Sequence, residues 1–277
     1  MKLRRIVIML DGSDADSLLL RQGLQLCKAY GARLDALFVR RNLTSGGDFL
    51  GDSFSTYGME AVLQVLAEAA AEASIRARAA FDGAIDAATG SNIGKFIEHI
   101  GLPEEALAEE ARLCDLIVMA KPKGRAAAHQ LQSISMVAGL SGRPVLLLPP
   151  EQEAAADFRR VVIGWDGSLE AMRAIVGAMP LLEAADSISI LRAGGDAGDA
   201  DRLAAIARYL DLHGVTASTH SIGLEGRSVA KALIEAAGEA DLLVMGGFGA
   251  PLLVRAIGRD ETTALIEGTS FALLLAH

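Results

Sequence analysis

Cysteine, aromatic residues and long apolar runs are all scarce in this chain, and each scarcity argues against a class of protein. Only two cysteines occur in 277 residues, so a disulfide-stabilised secreted scaffold is excluded and both thiols are expected to fill space. Although 51% of the residues are hydrophobic, no unbroken apolar stretch reaches the roughly 18 residues that a membrane span needs. We therefore expect no membrane contact and a cytoplasmic protein.

Basic residues are also too few to balance the acidic ones. The net charge of −9 opposes non-specific binding to a phosphate backbone, so nucleic acid is a poor candidate partner. The apolar fraction is ample for packed cores, and the length predicts two domains of roughly 140 residues each.

The sequence contains an internal repeat. Residues 4–13 read RRIVIMLDGS and residues 159–168 read RRVVIGWDGS; later, CDLIVMAKPKG at 114–124 is matched by ADLLVMGGFGA at 240–250. Two matched landmarks in the same order predict a duplicated domain. We place the domains at residues 1–150 and 157–277, separated by a solvated linker.

Each copy alternates short apolar runs with helical patterns. This alternation predicts parallel sheets with right-handed crossovers, and in such sheets ligands bind at the carboxyl ends of the strands, where the strand order switches. In the first copy, Ser13 or Asp14 is predicted to cap the first helix and Gly31 to end it. Residues 42–59 are predicted to form a loop or lid, followed by a long alanine-rich helix over about 60–88.

The two copies differ after their second landmark. The second copy has glycines there, which let backbone N–H groups approach a phosphate because no Cβ intervenes. These glycines are Gly246, Gly247 and Gly249. The first copy instead has Ala120, Lys121, Pro122 and Lys123. For Lys121 and Lys123 we favour a solvated loop over an anion contact, because Pro122 removes an amide donor.

Catalytic signatures are missing from the sequence. It contains no Gly-x-Ser-x-Gly elbow, no Gly-Lys-Ser/Thr phosphate loop and no Gly-x-Gly-x-x-Gly fingerprint, and its five histidines show no ligand spacing. We therefore predict no catalytic residue and no metal ligand.

The whole chain resembles a tandem universal stress protein. The resemblance rests on the apolar first strand that ends in Asp-Gly-Ser, the Ala/Leu-rich first helix, the segment ADLLVMGGFG at 240–249 and the apolar last strand. It implies an α/β fold with two doubly wound parallel-sheet domains of the adenine-nucleotide α-hydrolase-like type. It also implies a stress-response sensor or regulator that binds ATP, with or without Mg²⁺, or AMP in its second domain, and that acts on a regulatory protein partner. Any catalysis would then be at most slow ATP hydrolysis.

The same resemblance implies how the copies associate. In the family the last strands pair antiparallel between domains, so 144–148 and 271–276 are expected to pair within this chain as a pseudo-dimer. Apolar surface left on the helix over 60–88 would then support a homodimer.

The resemblance also assigns roles to residues of the second copy. Asp166 would approach the ribose, the backbone near Ala193 would contact adenine, Met245 would line the base, and Gly246 and Gly249 would hold phosphates. The full candidate set is Gly164, Asp166, Ala193, Met245, Gly246, Gly249, Arg259 and Asp260.

Arg259-Asp260 departs from the family pattern, which has Gly-Ser or Gly-Thr nine residues after the Gly-x-x-Gly loop. Arg259 either contacts a phosphate or pairs with Asp260 or Glu261. The glycine loop and the Asp166-Gly167-Ser168 segment also fit a ligand-free turn with a helix cap. A scaffold without nucleotide is therefore one alternative function. Another is an enzyme or carrier for a different small anion or apolar ligand, with the loop over 42–59 as its lid. A sizeable apolar pocket under residues 49–59 in the first domain would favour it.

Overall fold

The computed structural model describes residues 2–41, 56–87, 93–122, 127–150, 157–194, 198–247 and 261–277. We call residues 1–150 the first half and residues 157–277 the second half. Within the described residues, none of the helices combines the length and apolar character that crossing a membrane requires.

The first half contains five strands and four α-helices among its described residues. They are β1 (Arg5–Leu10), α1 (Asp16–Tyr30), β2 (Arg33–Arg41), α2 (Thr56–Ala87), β3 (Ile93–Gly101), α3 (Pro103–Glu109), β4 (Leu116–Ala120), α4 (Ala127–Ser141) and β5 (Val145–Leu148). A 3-10 turn over Ala111–Leu113 follows α3 and leads into β4.

The second half repeats this order. Its described elements are β6 (Arg160–Gly164), α5 (Leu169–Leu182), β7 (Ser187–Ala193), α6 (Asp199–Leu212), β8 (Ser218–Ile222), α7 (Val229–Ala237), β9 (Leu242–Gly246), α8 (Glu261–Gly268) and β10 (Ala272–Ala276).

All ten strands form one sheet, in the order β3-β2-β1-β4-β5-β10-β9-β6-β7-β8. Outward from the centre, the two halves have the same strand order. Neighbouring strands are parallel except for β5 and β10, which are antiparallel. The predicted doubly wound α/β fold is therefore confirmed, and the strand order switches between β1 and β4 and again between β6 and β9.

The sheet is buried on both faces, because successive side chains of each strand point to opposite sides. On β1, Ile6 and Ile8 belong to a core that includes residues of α1, α2, α5 and α6. Val7 belongs to a second core, with residues of α3, α4, α7 and α8. Each core contains residues from both halves. Both cysteines fill space in the interior, Cys27 in the first core and Cys114 in the second, as expected from the sequence.

The antiparallel pair at the centre joins the two halves, as the resemblance predicted. Leu147 faces Leu273 and Leu146 faces Leu274, and all four side chains are fully buried. The expected homodimer stays a prediction.

Equivalent aspartates form hydrogen bonds between the two strands that flank each switch point. The Asp115 carboxylate, just before β4, accepts hydrogen bonds from the backbone N–H groups of Arg4 and Arg5 at 2.7 and 2.9 Å. Asp241, just before β9, accepts one from the N–H of Arg160 at 2.7 Å. The repeated Arg-Arg and Asp of the sequence thus hold β1 beside β4 and β6 beside β9.

The starts of α1 and α5 differ between the halves. The Ser168 hydroxyl caps α5 by accepting a hydrogen bond from the N–H of Ala171 at 3.1 Å. The predicted cap of α1 by Ser13 or Asp14 is wrong, because α1 begins at Asp16 and its N-cap residue makes no side-chain bond. The end of α1 is as predicted, with Gly31 in the left-handed conformation at φ +65°.

The expectation that Lys121 lies in a solvated loop is also wrong. Its side chain is buried rather than solvated, and its Nζ donates to the carbonyl and hydroxyl oxygens of Thr269 and, at 3.3 Å, to the carbonyl oxygen of Phe271. Burial lowers the pKa of Lys121 to about 8. The residue that takes the place of Gly247 in the first half therefore links the two halves. Lys123 lies outside the described residues.

We predict that Leu274→Ala lowers the free energy of unfolding by about 2–5 kcal/mol, because it leaves a cavity at the junction of the halves. Urea denaturation followed by circular dichroism measures this loss. Leu212→Ala is the control, since Leu212 is 85% exposed and its truncation should change the stability by less than about 0.5 kcal/mol. Equal effects of the two substitutions would contradict the prediction.

Candidate functional site

A cleft of about 500 Å³ opens at the carboxyl ends of β6 and β9, at the switch point of the second half. The structure brings five of the predicted site residues together around it, namely Gly164, Asp166, Ala193, Met245 and Gly246. Gly249, Arg259 and Asp260 lie outside the described residues. We call this space the second-half cleft.

Asp166 lies at the mouth of the second-half cleft, in the turn that leads into α5. Its Oδ1 accepts a hydrogen bond from the N–H of Ser168 at 2.9 Å, and the side chain is exposed. Gly167 adopts φ +82°, which explains the glycine. Asp166 therefore shapes a capping turn, as one interpretation of the sequence held, and still presents a carboxylate to solvent.

The equivalent turn of the first half is covered. A Cβ on Gly12 would come within 2.7 Å of three atoms of Ala73, on α2, and the Arg76 side chain donates to the Gly12 carbonyl oxygen at 2.8 Å. No described atom outside its chain neighbours lies within 4 Å of a Cβ built on Gly167. Access to the switch-point turn thus differs between the halves.

Close packing explains why a glycine is needed at position 246, the first residue of the glycine loop. A Cβ on Gly246 would lie 2.6 Å from the Ala171 nitrogen and 2.9 Å from the Glu170 carbonyl carbon, so β9 needs glycine there to pass the start of α5. The N–H of Gly247 donates to the carbonyl oxygen of Ala276 at 2.9 Å. That amide is therefore engaged in the sheet rather than turned toward the cleft.

Trp165 is a lining residue that the sequence analysis missed. Its backbone N–H donates to the carbonyl oxygen of Leu191 on β7 at 2.9 Å. This bond holds Trp165 in place directly after the end of β6. Its indole Nε1 is buried and has no partner among the described residues. The side chain packs against the core that contains residues of α5 and α6, and it also lines a neighbouring pocket with Met172 and Tyr209, so this donor is not assigned to the second-half cleft. Tryptophan at this position of the repeat, where the first half has Leu10, was the available signal.

The described charges at the second-half cleft are all negative. Glu170 and Glu261 line it together with Asp166. The Glu261 carboxylate also accepts a hydrogen bond from the N–H of Ala230 at 2.5 Å and so caps the start of α7. In the part of the chain that the structure describes, no group of three or more histidine, cysteine or acidic side chains is arranged to hold a metal ion.

A second cleft, of about 370 Å³, lies at the switch point of the first half between β1, β4, α2 and α4. We call it the first-half cleft. Its walls are mainly apolar, and Asp11 and Asp16 are at its polar end. Asp16 is 2% exposed and accepts hydrogen bonds from the N–H groups of Asp11 and Gly12 at 3.3 and 2.9 Å. Burial, with a further contribution from the Asp11 carboxylate, raises the pKa of Asp16 to about 6.

We predict that Gly246→Ala destabilises the protein by about 1–3 kcal/mol, because the new Cβ meets backbone atoms that cannot move aside. The matched control is Gly164→Ala on the neighbouring strand, where the nearest atom would be the Met245 Cβ at an ordinary 3.5 Å. Thermal and urea unfolding compare the two variants. A loss at Gly164 as large as that at Gly246 would contradict this account.

We also predict that Asp16 makes the stability depend on pH. Its pKa is higher in the folded than in the unfolded chain, so the stability it contributes is complete below about pH 4 and is lost as the pH rises through 6. The free energy of unfolding of the wild type, relative to Asp16→Asn, should fall by about 2–3 kcal/mol over this range.

Urea unfolding at several pH values measures this difference. Asp14→Asn is the control, because it removes a carboxyl group of the same segment that is exposed rather than buried. A constant difference for Asp16→Asn would show that burial does not perturb Asp16.

Known proteins resemble this chain in sequence and in fold. A model of the universal stress protein family matches residues 2–149. The fold is similar to that of a universal stress protein from Archaeoglobus fulgidus, with 17% identity and a TM-score of 0.68 over 99% of this chain and 96% of that one. A candidate universal stress protein from Pseudomonas aeruginosa has 12% identity and a TM-score of 0.57, over 99% of this chain and 93% of its own. No curated protein matches the sequence.

Proposed function

Because this chain belongs to the universal stress protein family, we propose that it binds an adenine nucleotide in the second-half cleft and acts as a sensor or regulator. The observation that carries the proposal is the open Asp166-Gly167-Ser168 turn at that cleft, whose counterpart in the first half is covered by α2. A ligand at a switch point needs access to the ends of both strands, and the described residues leave this access in the second half.

The lining of the cleft suits a nucleoside. The exposed Asp166 carboxylate accepts hydrogen bonds from ribose hydroxyl groups, as acidic residues do in other nucleotide-binding folds. Leu191, Ala193 and Met245 offer an apolar surface for the base.

The phosphate groups set a further condition. Three carboxylates, those of Asp166, Glu170 and Glu261, line the cleft, so a triphosphate is repelled unless cations offset its charge. ATP would accordingly bind as its Mg²⁺ complex, whereas AMP carries less charge and depends less on the metal. Contacts from Gly249 and Arg259 remain part of the proposal.

A regulatory role is favoured over catalysis. No histidine is among the described residues that line the cleft, and the Ser168 hydroxyl is engaged as the cap of α5. The described lining thus offers no activated nucleophile. Nucleotide occupancy would instead act on a protein partner.

A scaffold that binds no nucleotide is the second candidate. It is favoured by the packing explanation for Gly246 and by the engagement of the Gly247 amide with Ala276, because neither needs a phosphate. In this alternative the Asp166 turn only caps α5.

The single tryptophan of the chain tests the proposal, because Trp165 lines the cleft. We predict that AMP, and ATP with Mg²⁺, change the fluorescence of Trp165, and that calorimetry gives matching dissociation constants. Asp166→Ala should weaken binding by roughly tenfold or more, since it removes the acceptor for the ribose. Removing Mg²⁺ should weaken the binding of ATP more than the binding of AMP.

Asp11→Ala is the matched control. Asp11 forms the same turn in the first half, accepting the N–H of Ser13 at 3.0 Å, so its loss has a similar structural effect without touching the second-half cleft. Nucleotide affinity unchanged in Asp11→Ala supports the assignment. No binding of either nucleotide up to about 1 mM, which corresponds to a weak −4 kcal/mol, would favour the scaffold.

A further inference from the structure

The geometry points to a second ligand site: we propose that the first-half cleft binds a small apolar molecule with a cationic amino group. This proposal does not depend on nucleotide binding in the second half. At about 370 Å³ the cleft is within the size range of small-molecule sites.

Aliphatic and aromatic side chains form the walls. Phe38, Leu107 and Ile134 are buried at the base of the cleft, and Leu66 of α2 lies at the side, where it is 45% exposed. Three methionines add walls that adapt to the shape of a ligand, because the thioether chain is flexible and polarisable. They are Met9, Met119 and Met136.

The polar end of the cleft presents hydrogen-bond acceptors. The Gln130 Nε2 donates to the Asp11 carboxylate at 3.3 Å. Because a carboxylate can only accept, this bond fixes the amide orientation and turns the Gln130 Oε1 away from Asp11. That oxygen is buried and has no partner among the described residues. An ammonium group has three donors and satisfies such an acceptor.

The charges favour a cation and oppose a phosphate. Two carboxylates, Asp11 and Asp16, line the cleft, and no lysine or arginine among the described residues does. Lys121 is held by Thr269 and Phe271 instead. Arg76 bonds the Gly12 carbonyl oxygen and is not among the lining residues. A positive head group is therefore matched by this end of the cleft and a negative one is repelled.

Three probes with the same apolar body and different head groups test the proposal. Phenylbutylamine, phenylbutanol and phenylbutanoate are titrated into the full chain by calorimetry, with Trp165 fluorescence as a second readout. The amine should bind roughly tenfold or more tighter than the carboxylate, with the alcohol between them. Trp165 fluorescence should not change, because Trp165 belongs to the other half.

Two substitutions on α2 locate the site. Ala70 lines the cleft, so Ala70→Trp should fill it and abolish amine binding. Ala69 is exposed and does not line the cleft, and Ala69→Trp is the matched control that should bind normally. Thermal unfolding shows that both variants fold.

Two further substitutions test the head-group contacts. Asp11→Asn keeps an acceptor for the N–H of Ser13 but removes a negative charge. It should therefore weaken the binding of the amine more than the binding of the alcohol. Gln130→Leu removes the unpartnered oxygen and should weaken both. Equal affinity for amine and carboxylate, binding that survives Ala70→Trp, or no amine binding up to about 5 mM would each overturn the proposal.

Discussion

The antiparallel pairing of β5 with β10 is the contact on which the rest of the molecule depends. It joins two sets of parallel strands into one sheet, and the cores on both faces continue across it. The strands of the two halves run in opposite directions. The carboxyl ends of the first-half strands therefore point to one side of the molecule, and those of the second-half strands point to the opposite side. The two switch-point clefts are therefore separated by the sheet itself, and each can evolve its own lining.

The halves differ mainly through one helix. The 32 residues of α2 cross the Asp11-Gly12-Ser13 turn, whereas the equivalent turn in the second half stays open. Covering the turn changed the character of the first-half cleft. There Asp16 is buried beside apolar walls, and at the same position of the repeat the second half has Ala171. The same arrangement of strands thus supports a cleft with an open turn in one half, and in the other half a cleft with a covered turn and mainly apolar walls.

Much of the fold could be predicted from the sequence, because apolar periodicity and capping residues act locally. The helix cap that the Asp166-Gly167-Ser168 segment suggests is found, since Ser168 directly precedes α5 and caps it. Residues whose roles depend on distant partners were missed. Asp16 reads as an ordinary first-turn acid and Lys121 as a loop residue, yet tertiary contacts bury both. The same limit applies to Gly246, whose neighbour on α5 no local pattern reveals.

The position of Lys121 makes the two halves unequal. The second half has Gly247 at the corresponding position, whereas the Lys121 Nζ donates to oxygen atoms of Thr269 and Phe271 across the junction. Replacing Lys121 by glycine would leave those oxygen atoms without this donor, and Pro122 would still lack an amide N–H. Restoring the glycine would therefore weaken the junction of the halves without building a phosphate loop in the first half.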